Sequence, residues 1–159
     1  MQKVPRTGSL TFAAALAVSL LLQLPVTARA GDSLYGTVTA IRQANLITLD
    51  HGAGSFDIRL AGIDLPEDAA LSREADRFVT ELLLGKPARL RFDGRTAEGE
   101  MVGRMYTDDP KLGIKDVALE LVRAGLARPS RTYAGYKYAE LTRAAAEARA
   151  NKAGIWKNQ

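Results

Sequence analysis

The chain of 159 residues has no cysteine and a single histidine. Without cysteine there is no disulfide framework, no thiolate metal site and no cysteine nucleophile. The histidine, His51, falls in the turn Asp50-His51-Gly52-Ala53-Gly54 and reads as a solvated turn residue. No two-histidine metal centre and no Ser–His–Asp triad can be assembled from it. Long apolar runs are also scarce. The one present, Leu10 to Leu24, is broken only by Thr11, Ser19 and Gln23, and is short against the roughly 20 residues of a bilayer span. It follows Lys3 and Arg6 and leads past Pro25 to Ala28-Arg29-Ala30. Positive, apolar, then small residues is the layout of a secretory signal peptide, expected over residues 1–30 with cleavage near Ala30. Its removal takes away three basic groups and no acidic one, leaving 19 basic against 18 acidic residues, a formal +1 in place of +4. Bulk charge therefore does not point to a nucleic-acid binder, and any affinity for polyanions has to come from local patches.

The remaining residues, 31–159, suit one domain with a core of its own, located in the periplasm or outside the cell, with no transmembrane span after cleavage. Strands are expected over Leu34 to Ile41 and Leu46 to Asp50, rich in Val, Ile, Leu and Thr. From Ser55 to Ala61 the alternation places Phe56, Ile58 and Leu60 on one face and Asp57, Arg59 and Ala61 on the other. Leu71, Ala75, Phe78, Val79 and Leu82 recur at helical spacing, with Ser72 as the expected N-cap and Gly85 as the stop. Two strands follow, Ala88 to Asp93 and Met101 to Tyr106, then helices over about Asp116 to Ala124 and Tyr136 to Lys152. The last is expected to bury Tyr138, Leu141, Ala145 and Ala148, and Ile155 and Trp156 to dock on the body. Arg89 and Arg91 read as solvated strand exterior, balanced by Asp93 and Glu98. Three strands, a helix, two strands and two helices is the order of an α+β fold, a five-stranded OB-fold β-barrel with three helices.

One run carries chemistry. In Arg59-Leu60-Ala61-Gly62-Ile63-Asp64-Leu65-Pro66-Glu67 an arginine on a strand precedes a proline-braced turn holding two carboxylates. Such carboxylates can hold a metal and activate water while the guanidinium clamps a phosphate. The residues alone also allow a plainer reading, in which Arg59 pairs with Asp57 on its own face and Asp64-x-x-Glu67 is turn and helix-start chemistry.

The run resembles the signature of the staphylococcal (thermonuclease-type) nuclease family. Val122-Arg123-Ala124-Gly125-Leu126-Ala127 is similar to that family's helix-to-loop segment, and Gly154-Ile155-Trp156 to its end. The resemblance implies a phosphodiesterase in which two aspartates and a backbone carbonyl hold one calcium ion, a glutamate acts on the attacking water, and two arginines neutralise the phosphorane. On that pattern Asp64 is a metal ligand, Leu65 offers the carbonyl, Glu67 is the catalytic base and Arg59 is both catalytic and ligand-binding. Two positions depart from it. The turn Arg42-Gln43-Ala44-Asn45-Leu46 puts Asn45 where the second metal-binding aspartate belongs, a neutral and therefore weakened ligand. Gly99-Glu100 replaces the Gly-Arg pair that opens the fifth strand, and Arg104, four residues on, is about 13 Å away at strand rise. The resemblance thus implies a nuclease with weak calcium binding and hydrolysis that is weak or lost, its partner a nucleic acid or nucleotide and its state a monomer. The alternatives are a non-catalytic OB-fold module for a nucleotide, oligosaccharide or anion, or an envelope protein-interaction domain.

Overall fold

The computed structural model describes residues 29–111, 113–132 and 137–157; residues 1–28 of the expected signal peptide and Tyr136, the expected start of the last helix, lie outside them. Five strands close a barrel in the order β1 (Ser33–Gln43), β2 (Leu46–Asp50), β3 (Ser55–Leu60), β6 (Met101–Thr107) and β5 (Pro87–Arg95), with β5 returning to β1. Every neighbouring pair is antiparallel except β3 and β6. β1 is long enough to serve two partners. Its first half pairs with β5 from Ser33 to Thr37, and its second half pairs with β2 through two register shifts. Such irregularities bend a strand enough to close a sheet on itself.

The alternating apolar residues fill the interior. Val38, Ile47, Leu49, Ile58, Leu90 and Met105 have no exposed surface, and each side chain of this kind contributes about 1.5–3 kcal/mol on burial. Because β3 alternates, burying Ile58 and Leu60 directs Arg59 to the outer face, as expected.

Helix α1 (Ala69–Leu83) lies between the third and fourth barrel strands and buries Ala75, Val79 and Leu83. Its cap differs from the expectation. Asp68, not Ser72, is the N-cap, and its carboxylate accepts the N–H groups of Ala70 and Leu71, both at 2.9 Å. An aspartate that satisfies two orphan donors starts the helix one turn early, and Ser72 falls inside that turn. Helix α2 (Val117–Arg123) is capped by Asp116. Burial pushes the Asp116 carboxyl above its ordinary range, opposed by the hydrogen bond from the Leu119 N–H and by the charges of Lys137 and Arg104. Helix α3 (Tyr138–Ala150) buries Leu141, Ala144 and Ala148. Tyr138, expected inside, is exposed, and Ala145 is only half-buried. The inward face of α3 is set by Leu141, Ala144 and Ala148, shifted from the expected Tyr138, Leu141, Ala145 and Ala148.

Two strands of two residues each were not legible in the pattern: β4 (Ile63–Asp64) and β7 (Arg128–Pro129), paired antiparallel with Ile63 opposite Pro129 and Asp64 opposite Arg128. This small ladder carries the end of the Arg59–Glu67 run to the segment after α2. Among the described residues no helix is long and apolar enough to cross a membrane.

Candidate functional site

Different elements hold the two ends of the Arg59–Glu67 run. Arg59 stands on the outer face of β3, opposite Leu46 on β2 and Val102 on β6. Glu100 immediately precedes β6, and its Oε2 accepts from Arg59 Nη2 at 2.7 Å and Nε at 2.8 Å. Glu98 is beside it, its carboxyl held below the ordinary range by its own backbone N–H and by the Thr96 hydroxyl, with the Arg59 charge a smaller contribution. Arg59 is therefore engaged by Glu100, the position expected to depart from the family pattern. The plainer pairing with Asp57 does not occur. Asp57 accepts from Thr48 Oγ1 at 2.7 Å and Arg42 Nε at 3.1 Å, because residues facing one another across strands approach more closely than residues i and i+2 along one strand. Arg104 is engaged too: it is 5% exposed and grips Asp93, Nη2 to Oδ1 at 3.0 Å.

Asp64, on β4, and Glu67, just before the Asp68 cap of α1, are both exposed. They line an open groove of about 620 Å³ with Leu65 and Asp68 from the same segment and Arg128, Ser130 and Arg131 from the segment after α2. Among the described residues, no carboxylate or cation forms an ion pair with Asp64, Glu67 or Arg131. The Arg128 guanidinium lies 5.3 Å from the centre of the Trp156 ring, with Arg149 at 5.5 Å from the same ring. Arg128 and Arg131 were not singled out in the sequence. They follow the Val122–Ala127 segment as Arg128-Pro129-Ser130-Arg131, but only the β4–β7 pairing makes them neighbours of Asp64.

Asn45 sits in the turn from β1 to β2. Its carbonyl accepts the Leu60 N–H at 2.9 Å, and the preceding Ala44 N–H is held by Asp76 of α1 at 2.7 Å. Its side-chain Oδ1 is buried and has no hydrogen-bond partner among the described residues. An orphaned amide oxygen is the type of atom a hard cation takes, but calcium wants six to eight oxygens and its affinity follows their charge. Asp64 and Asn45 bring one negative charge between them, and no group of three or more His, Asp or Glu residues is gathered for a metal among the described residues. The residues present fit a tightly held calcium ion poorly.

A closed barrel with α1 between its third and fourth strands, followed by two packed helices, defines an OB-type α+β domain. The chain belongs to the staphylococcal nuclease homologue family, whose profile matches residues 57–158. It is 28% identical over 157 residues to a probable endonuclease LCL3 of Pyricularia oryzae, covering 78% of this chain and 61% of that protein. It is 30% identical over 159 residues to a probable endonuclease lcl3 of Pyrenophora tritici-repentis, covering 78% and 58%. A probable endonuclease LCL3 of Verticillium alfalfae is 31% identical over 118 residues, covering 64% and 39%. The chain thus spans between 39% and 61% of the length of these relatives.

Proposed function

We propose that this is an exported nuclease-family protein in which phosphodiester hydrolysis is attenuated, while the Asp64–Glu67 groove retains affinity for the phosphates of a nucleic acid or nucleotide. The observation that carries this reading is the Arg59–Glu100 ion pair. Two effects of Glu100 differ in size. As a competitor for Arg59 it is weak: exchange of a partly exposed pair costs about 1 kcal/mol, roughly fivefold in phosphate affinity. As a missing donor it matters more, since loss of one group that stabilises transition-state charge costs about 100- to 1000-fold in rate. Reversal of its sign also leaves Arg59 locally neutralised. Support for retained binding comes from Arg131, which stands in the groove beside Asp64 and Glu67 without an ion-pair partner among the described residues. Calcium, where it binds, would supply Lewis acidity, with Asp64, Asn45 and the Leu65 carbonyl as its protein oxygens; Glu67 would accept a proton from water.

The purified protein with calcium is expected to cleave DNA or RNA slowly, and Glu67→Gln to reduce that rate at least about 100-fold. Residual cleavage equal in both proteins would mark contamination and end the enzymatic part of the proposal, while fast cleavage by the unaltered chain would end the attenuation. Calorimetry with a nucleoside bisphosphate tests the binding part, which Arg131→Ala should weaken. Export makes a separate prediction. Protein recovered from the periplasm or medium should begin at Gly31, and a chain retaining Met1 would count against a cleaved leader.

A further inference from the structure

The outer face of β1, β5 and β6 has a composition that the reading of Arg89 and Arg91 as merely balanced charge does not explain. Tyr35, Arg89 and Tyr106 stand directly opposite one another across the three strands, and Ser33 and Arg91 lie opposite each other in the adjoining row. Tyr35 is 52% exposed, and the Arg89 guanidinium lies 5.0 Å from the centre of the Tyr106 ring. Arg91 is exposed. Past Tyr106 the sheet is extended by the bond from the Thr107 N–H to the Lys115 carbonyl. Exposed Lys115 and Ile114 there share a groove of about 470 Å³ with Tyr106.

Several acids of the surrounding segments have partners of their own, among them Asp32, beside Ser33, which accepts the Arg29 N–H at 2.8 Å. Asp93 holds Arg104, Asp116 accepts the Leu119 N–H at the start of α2, and Glu120 pairs with Arg123 at 2.8 Å. Glu98, counted as a balancing charge from the sequence, lies in the turn beside Arg59 instead. Just past β6, exposed Asp108 and half-buried Asp109 bound the strip at that end.

We propose that this face is a second nucleic-acid surface, a strip that binds single strands by stacking bases on Tyr35 and seating phosphates on Arg89, Arg91 and Lys115. Rows one strand apart are separated by about 4.8 Å, and alternate residues along a strand by about 7 Å, so aromatic and cationic groups interleave at the scale of a nucleotide. Every base has a face to stack, so such platforms bind with little sequence preference. A duplex keeps its base faces covered, and a sheet face does not enter its major groove as a helix or β-ribbon does. The strip shares no residue with the Asp64–Glu67 groove, and it does not depend on hydrolysis or on that groove.

The test is fluorescence anisotropy of the purified protein with a labelled oligothymidylate of about 20 nucleotides, in EDTA, across a salt series. Tyr35→Ala should weaken binding about 5- to 100-fold and Tyr35→Phe should restore it. Arg91→Glu with Lys115→Glu should weaken it further and flatten the dependence of log affinity on log salt by about 1.4, near 0.7 for each phosphate no longer neutralised. These side chains are exposed, and circular dichroism confirms the fold of each variant. Unchanged binding in all of these variants overturns the proposal, as does a loss that follows Arg131→Ala alone, which would assign the oligonucleotide to the groove. Equal binding of phosphatidylglycerol vesicles that disappears on the same substitutions would also overturn it, assigning the strip to anionic surfaces in general.

Discussion

Asn45→Asp and Glu100→Arg introduced together are expected to raise calcium-dependent DNA hydrolysis at least about 100-fold above the unaltered protein, the return of one transition-state donor being worth that much. The positions allow it. Glu100 is partly exposed at the mouth of β6, so an arginine there has room, and loss of its bond to Arg59 removes an interaction of about 1 kcal/mol or less from stability. Asn45 already places a buried oxygen in its turn that has no partner among the described residues, and the carbonyl bond to Leu60 and the Asp76 clasp on Ala44 fix the backbone on which a carboxylate would be presented. A carboxylate buried there without a cation is unfavourable, which gives a second readout. The Asn45→Asp chain should melt below the parent without calcium and recover as calcium is added, in proportion to the logarithm of its concentration. Each substitution alone should give a smaller gain, since the first restores metal charge without the donor and the second the donor without the metal charge. If the pair neither cleaves nor gains stability with calcium, then Asp64 and Glu67 are not aligned with these positions. The attenuation would then lie in the backbone of the groove and not in the two side chains.

The barrel is legible in the sequence because its strands alternate cleanly. Ile58 and Leu60 against Arg59, or Leu90 and Phe92 against Arg91, declare inside and outside without the help of any other segment. Helix α2 is legible for a similar local reason, as Asp116 and Gly125 bracket its apolar stripe. What escaped the sequence was non-local or competitive. Asp68 and Ser72 are both acceptable caps, and the choice rests on which one reaches two free N–H groups. Arg59 had a carboxylate two residues away in Asp57, but its partner comes from 41 positions along the chain. That partner is brought in by the parallel pairing of β3 with β6, which no periodicity announces. The same holds for Arg128 and Arg131, which join Asp64 and Glu67 through a ladder of two residues on each side. Candidate residues written in one run could be read together from the sequence; the neighbours that topology brings to them could not.

Gly125→Ala is expected to destabilise the fold by at least about 3 kcal/mol, in the range reserved for a few mechanisms such as a backbone clash at a special conformation. Gly125 performs two tasks. It ends α2 with φ +68, where its N–H bonds the Val122 carbonyl and the next N–H, of Leu126, bonds the Leu121 carbonyl, the pairing of a Schellman cap. It also meets the end of the chain. A Cβ built on Gly125 would lie 2.2 Å from the Ala153 carbonyl oxygen, and one on Gly154 2.1 Å from the Gly125 oxygen, while the Ile155 N–H bonds that same oxygen at 2.9 Å. Positive φ alone costs an alanine about 1–2 kcal/mol; the remainder comes from forcing apart two backbones that no side chain can move aside to relieve. Gly85 provides the control, since it has φ +73 with nothing within 4 Å of an added Cβ. Gly85→Ala should therefore show the conformational cost without the clash. By thermal denaturation the Gly125 variant should lose about 10 °C or more and the Gly85 variant about half of that or less. Fluorescence gives an independent reading, because the single tryptophan, Trp156, follows the contact directly and packs under Arg128 at the edge of the groove. Its emission should shift in the Gly125 variant and stay unchanged in the Gly85 variant. Equal losses in the two proteins would mean that the chain end yields freely. The Gly125–Gly154 contact would then not be what holds Trp156, and with it Arg128, beside Asp64.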